Sequence, residues 1–463
     1  MYCTGSLLTP RPENGYVIPV LHALRAGTTH MDVDLVNSAR SESEGLFFGW
    51  WVVGAAFLIT AVTVGVFYSY GVFFLPVMAE FGWSRTVLSG VALAGGLTYA
   101  ATVPLAGWLA DRYGFRPVMA VTAATLGLGF LLCSLVKSAW QLYLFAGVVC
   151  GLGSPIGIAL PLSMVARWFV KRRGLALGIA SAGIGAGAAT VPLLATCLIS
   201  ALGWRASYAL LGLLIWVTCI PVALMTMRDP APDDVRAREK RPAALKNPSG
   251  SCLAESSFSV SQAVQTSSFW YLFSIFGLSI FCLGLAMTHL VPHARDTGLS
   301  AVTAAGLLSA MGTFSIVGRV VSGMISDRIG ARLVLAAGVF VQGVMMLWLA
   351  KADSTWAFYL FAAIFGLSYG GNIVLIPKLT SHIFGVGSMG AIFGALSVAD
   401  GLGFGTGPLM AGYIFDMTGS YQMSFFIVAA AMAVALAATL ALREERVPDR
   451  RKGYIQRERG RGQ

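Results

Sequence analysis

The run Leu307–Ile325 carries one charged side chain, Arg319, in the stretch SIVGRVVSG. A guanidinium is a planar fork of N–H donors that matches a carboxylate through two parallel bonds. Within an apolar segment it is too costly to keep unless it faces a wet cavity or a partner. Three roles are open to it: binding a carboxylate, snorkelling to a nearby surface, or closing a structural ion pair. A second lone charge, Asp400, stands about midway along another apolar run. It can take up and release a proton, or merely cap and pack between helices. Were Asp400 to approach Arg319, protonating the acid would free the arginine for an anion. Tyr68, Tyr70, Tyr369 and Asn372 are hydroxyl and amide groups at comparable depth. They suit the orientation of a carboxylate or a neighbouring hydroxyl, and they suit plain interhelical bonding as well. His289 and His293 read as interfacial groups. The seven cysteines are scattered without metal-ligand spacing, so neither metal nor cofactor is expected. No Ser/His/Asp, Cys/His or phosphate-loop constellation occurs, and no catalytic residue is expected.

The elements that position these groups follow from composition. Charged residues make up 11% of the chain and apolar ones 56%, whereas a soluble domain carries about 25% charge. Twelve apolar runs recur, at about 47–70, 86–109, 117–136, 139–165, 174–200, 205–227, 268–292, 302–325, 332–350, 355–377, 388–413 and 421–442. Each is long enough for a hydrocarbon core of ~30 Å, and only helices satisfy their own backbone there. The expected fold is an all-α membrane protein with twelve transmembrane helices, spans 1 to 12. Of the 32 Lys and Arg, 22 fall in the loops after spans 2, 4, 6 and 8 and in the tail after span 12. That bias marks the cytoplasmic face and puts both termini there, in a cell (inner) membrane. It also accounts for the net charge of +11, which calls for no nucleic-acid partner. The expected partners are lipid, a small carboxylate and a proton, for a chain acting as a monomer. Residues 1–45 have no apolar core of the signal-peptide kind and read as a disordered cytoplasmic tail, within which Met31 offers a second start.

The chain is written twice. GWLADRYGFRP follows span 2, with Gly107, Asp111, Arg112, Gly114 and Arg116; GMISDRIGARL follows span 8, with Gly323, Asp327, Arg328, Gly330 and Arg332. All five positions repeat at an offset of 216, and the same offset pairs Gly82 with Gly298, Ser84 with Ser300, Gly185 with Gly401 and Pro192 with Pro408. Two six-helix halves result, 46–227 and 268–442, joined by a Pro-, Ser- and charge-rich linker over 228–267 and followed by a basic tail over 443–463. Like halves on a slack tether suit a machine that rocks about a central site.

This plan, with G-x-x-x-D-R-x-G-x-R after spans 2 and 8, resembles the major facilitator superfamily. The resemblance implies that Gly107, Asp111, Arg112 and Arg116, with Gly323, Asp327, Arg328 and Arg332, form conformational latches on the cytoplasmic side; topogenic charge alone is the competing reading. WFVKRRGLALGIASAG, residues 168–183, resembles the signature of the monocarboxylate porters. YGVFFLPVMAEFGWSR (70–85), YGGNIVLIPKLTSHIFG (369–385) and VADGLGFG (398–405) resemble the oxalate–formate antiporters. Both families carry small carboxylates, and both have a substrate-binding arginine about eight residues before the D-R loop, where Arg319 stands before Asp327. Two departures are informative. Ser315 replaces the aspartate one turn before that arginine in the porters, and Ala399-Asp400-Gly401 replaces the antiporters' A-K-G. Asp400 is then expected to take over the proton-coupling role. The implied function is proton-coupled transport of monocarboxylates by alternating access, with anion exchange or export of drugs and metabolites as alternatives.

Overall fold

A computed structural model describes residues 31–169, 173–229, 258–385 and 389–442. The first 30 residues, most of the 228–267 linker, the basic tail, Lys171 and Arg172 lie outside these. The chain parts into two compact units. Gly49–Pro230 with Lys246–Gln463 holds the bundle. Of the other unit, Met1–Phe48 with Ala231–Leu245, the described residues comprise only the start of the helix Met31–Tyr68. The helix that carries span 1 thus starts at Met31, within the stretch expected to be a disordered tail, while its apolar, membrane-crossing part starts at Phe48.

Span 1 comprises Met31–Tyr68 and Tyr70–Phe81, span 2 Arg85–Tyr113 and span 3 Phe115–Cys133. Span 4 is built in pieces: Ala139–Leu142, a π-helical Tyr143–Val149, Cys150–Gly153, a 3₁₀ turn Ser154–Ile156, and Ala159–Trp168. Spans 5 and 6 run as Arg173–Thr226, and a short helix, Val260–Val264, precedes span 7. Spans 7 to 12 are Ser267–Asp296, Ala301–Ile329, Ala331–Leu349, Thr355–Phe384, Met389–Thr418 and Gln422–Ala441. Among the described residues, ten helices are long and apolar enough to cross a membrane. One of them, Gly174–Thr226, is 53 residues long and turns back at Gly203, where φ is +79°. A side chain would be strained at that angle, so glycine makes the turn. Dividing that helix and adding Met389–Thr418 brings the spans to twelve.

The sequence repeat is a structural repeat. Ser84 and Ser300 cap spans 2 and 8 in the same way, accepting from Val87 N and Thr303 N. Arg116 donates to the Met225 carbonyl at the end of span 6; Arg332 reaches the Thr439 and Leu440 carbonyls at the end of span 12.

The two halves meet along two seams, span 2 against span 11 and span 5 against span 8. Small residues make both contacts close: a Cβ on Gly185 would stand 2.8 Å from the Gly312 carbonyl, and one on Gly401 would stand 2.9 Å from the Ala100 Cβ. Gly96 packs on the Gly401 carbonyl. The pairs Gly185/Gly312 and Gly401/Gly96 exchange under the offset of 216, so the seams are pseudo-symmetric. Toward the Arg85 end the packing continues, through Gly405 on Leu93 and Gly412 on Ser89. Toward the Asp111 end it ceases: Gly107, Gly174, Gly178, Gly323 and Gly394 have open space where a Cβ would be. The bundle is therefore closed at its Arg85 end and open at its Asp111/Asp327 end.

Candidate functional site

Arg319 sits where the span 5–span 8 seam gives way to that opening. It is 6% exposed, and its Nη1 donates to Ser315 Oγ at 3.4 Å, one turn back along span 8. That nitrogen lies 3.0 Å from where a Cβ of Gly185, in the other half, would stand. The side chain therefore points back along its helix, away from the Asp327 end, which is the wrong way for snorkelling to that face. Its Nε and Nη2 are buried with no hydrogen-bond partner. Among the described residues there are five ion pairs, and none includes Arg319. An unpaired guanidinium so enclosed is costly, and two of its donors remain to be satisfied.

Asp400 does not pair with Arg319. Its carboxylate is hydrogen-bonded to Tyr99 of span 2, in the opposite half. Tyr68 lies within electrostatic reach of Arg319, Asp400, Tyr369 and Tyr99. Of the expected site groups, these converge: Arg319, Asp400, Tyr68 and Tyr369, with Tyr99 as an addition. The Tyr369 hydroxyl is buried and unpartnered. Two others turn elsewhere. The Tyr70 hydroxyl donates to the Leu88 carbonyl at 2.7 Å, inside its own half. Asn372 donates to Gln342 of span 9 at 3.3 Å, away from the seam, and its amide oxygen packs over Gly338.

The closed end is sealed by charge. Arg85 makes a two-pronged pair with Asp296 of span 7, at 2.8 and 2.9 Å. It also donates to the Tyr421 hydroxyl, and its guanidinium lies 3.7 Å from the Phe415 ring centroid. Asp416 of span 11 caps span 2 across the seam, accepting from Arg85 N at 3.0 Å and Thr86 N at 2.7 Å, where the helix dipole favours a carboxylate. His289, expected at an interface, is fully buried. Its Nδ1 lies 2.9 Å from the Tyr421 hydroxyl, and its Nε2 lies 3.1 Å from Ser89 Oγ and 3.0 Å from the Pro408 carbonyl. At the open end the D-R motif acids pair within their own halves: Asp111 with Arg167, and Asp327 with Lys378. Arg112 lies over Trp108 and Tyr113, and Arg328 is exposed.

The family model described as "Major Facilitator Superfamily" matches residues 56–394 and 294–461. The chain belongs to this superfamily. Among curated proteins it is similar to monocarboxylate transporter 13 of Bos taurus, 28% identical, covering 84% of this chain and 88% of that protein. It is also similar to monocarboxylate transporter 4 of Gallus gallus, 29% identical, covering 85% and 82%. Among solved structures, a bacterial homologue of the human lysosomal transporter Spinster, inward-facing and occupied, superposes with a TM-score of 0.65 at 16% identity. That match covers 85% of this chain and 96% of the other. The facilitator fold, multi-pass and all-helical, is thus the fold of this chain.

Proposed function

We propose that this facilitator carries small monocarboxylates by alternating access, coupled to protons, and that Arg319 binds the carboxylate. The observation that carries the reading is the pair of buried, partnerless guanidinium nitrogens on Arg319 at a seam between halves. Two donors side by side fit the two oxygens of one carboxylate. The monocarboxylate transporter relatives support the same substrate class. Tyr68, within electrostatic reach of Arg319, and Tyr369, whose buried hydroxyl has no partner, orient the anion. Asp400 carries the proton: held by Tyr99 across the seam, it changes charge within reach of the anion, so one proton and one monoanion cross without net charge. The Lys/Arg bias assigns the Asp111/Asp327 end and both termini to the cytoplasm of a cell membrane. The conformation described is then open inward and sealed outward. As the inner end closes, Asp111 and Asp327 exchange their partners within each half for partners across it.

The test is uptake of labelled pyruvate into proteoliposomes under an imposed proton gradient, for the parent and Arg319→Gln. Uptake that rises with inward proton gradient and falls at least a hundredfold in the variant is expected. Parent-level uptake by a folded Arg319→Gln protein refutes the carboxylate role; uptake driven by internal anion and indifferent to the gradient refutes proton coupling.

A further inference from the structure

We infer that His289 is a second proton site of this carrier, distinct from Asp400, and that a proton taken up there unlocks the seal at the Arg85 end. The inference takes from the proposed function only the assignment of that end to the outer face.

The His289 ring closes a chain of hydrogen bonds that joins the two halves. Its Nε2 lies 3.0 Å from the Pro408 carbonyl of span 11 and 3.1 Å from Ser89 Oγ of span 2. A carbonyl only accepts, so Nε2 carries the ring's one proton and Nδ1 is bare. Nδ1, 2.9 Å from the Tyr421 hydroxyl, therefore accepts the Tyr421 proton. The Tyr421 oxygen in turn accepts from Arg85 Nη1. Donation runs one way, from Arg85 to Tyr421 to His289 to Pro408, and it requires an imidazole with a single proton.

A second ring proton has only Nδ1 to occupy, where it meets the Tyr421 hydroxyl donor to donor. That hydroxyl would have to turn its hydrogen away, leaving its oxygen between two cations, the imidazolium and the Arg85 guanidinium. No free acid answers the new charge. The charged and titratable groups within electrostatic reach are Arg85 of span 2, Asp416 of span 11 and His293 of span 7, with Asp296 near His293 and Tyr421 at the start of span 12. Asp296 is held by both Arg85 nitrogens, and Asp416 by the Arg85 and Thr86 amides. Span 1 offers only the Phe74 ring, 5.2 Å away between centroids. The ring is fully buried, and an unpaired cation there is costly. The closed seal thus admits the neutral ring alone. Opening withdraws Arg85 and Ser89 with the first half, and water that reaches Nδ1 can protonate it. A proton that binds only the open conformer raises that conformer's population.

The experiment reads the open fraction at the Arg85 end directly. Lys137 and Asp353 are exposed counterparts under the offset of 216, in the loops after spans 3 and 9. Nitroxides go on Lys137→Cys and Asp353→Cys, with Cys3, Cys197 and Cys252 replaced by serine, in nanodiscs without substrate. Pulsed electron resonance then gives the distance distribution between the halves. A free imidazole titrates near pH ~6.5, so the open-to-closed ratio should be flat above that value and rise about thirtyfold by pH 5. His289→Gln should abolish the rise, whereas His293→Gln and Asp400→Asn should keep it. A flat parent profile overturns the proposal, as does a rise that survives in a folded His289→Gln protein or is lost in His293→Gln or Asp400→Asn. Should His289→Gln not fold, the parent still decides, because a rise that begins only below about pH 5 belongs to Asp296 or Asp416 and refutes the histidine. With no substrate present, failure here leaves Arg319-dependent, proton-driven uptake standing, and failure of the uptake test leaves this site standing.

Discussion

Replacing Arg85 by glutamine should release the seal at the closed end. The arginine is 6% exposed, but its partner Asp296 is 35% exposed, so water screens the pair. The low end of the range for hydrogen bonds to charged groups, about 1.5 kcal/mol, is then appropriate. The Phe415 ring, 3.7 Å away, adds about 1 kcal/mol as a cation–π contact. All of these partners lie in the second half, so the loss falls on the conformation closed here and not on the fold of either half. At 1.4 kcal/mol per factor of ten, the conformer open at the Arg85 end gains between about tenfold and about sixtyfold in population. Thr288, buried beneath this seal, reports the change once replaced by cysteine. A membrane-impermeant maleimide added outside should label Thr288→Cys about tenfold faster or more in the Arg85→Gln background. Labelling rates equal within twofold, in protein that is correctly inserted, would falsify the idea that these charges hold the halves together.

Other expectations follow from the same geometry. Arg319→Met removes an unsatisfied buried cation, so it should melt higher than the parent in detergent while losing substrate uptake; a lower melting temperature would mean the guanidinium supports the fold. Arg319→Lys should not restore uptake, because an ammonium lacks the two-pronged fork, and recovery beyond about a tenth of parent activity would contradict that geometry. Asp400→Asn should abolish the dependence of uptake on external pH, with Tyr99→Phe weakening it; a pH profile unchanged in Asp400→Asn removes the proton role. Gly185→Val places a side chain against the Gly312 carbonyl and Arg319, so it should raise labelling of Thr288→Cys as Arg85→Gln does, whereas unchanged labelling would show that this seam yields.

The fold was legible because lipid imposes one rule on every span, and because the motif after span 2 returns after span 8. Arg319 and Asp400 were legible as single charges in apolar surroundings. The pair Tyr68 and Tyr70 shows where reading by depth fails. Both border one cavity, but the Tyr70 hydroxyl is taken by the Leu88 carbonyl, a backbone partner that depth does not reveal. Asn372 sits at a suitable depth but turns to span 9, where Gly338 leaves room for its amide. The sealing network was missed for a different reason. Arg85 looks like a charge at the start of a helix, and its partners Asp296 and Asp416 lie 211 and 331 positions away. Nothing local marks such a meeting. His289 likewise resembled a boundary residue until its three neighbours were known.

The offset of 216 that relates the seams carries Arg85 to Ala301 and Asp416 to Ser200. One flank of the molecule is therefore fastened by ions, and its mirror flank, with no ion pair among the described residues, by close packing of residues such as Gly185, Ala188, Gly312 and Ile316. Added electrolyte weakens the first and leaves the second untouched. The swing between the two faces is lopsided as a result, with spans 5 and 8 acting as the pivot and spans 2 and 11 as the clasp.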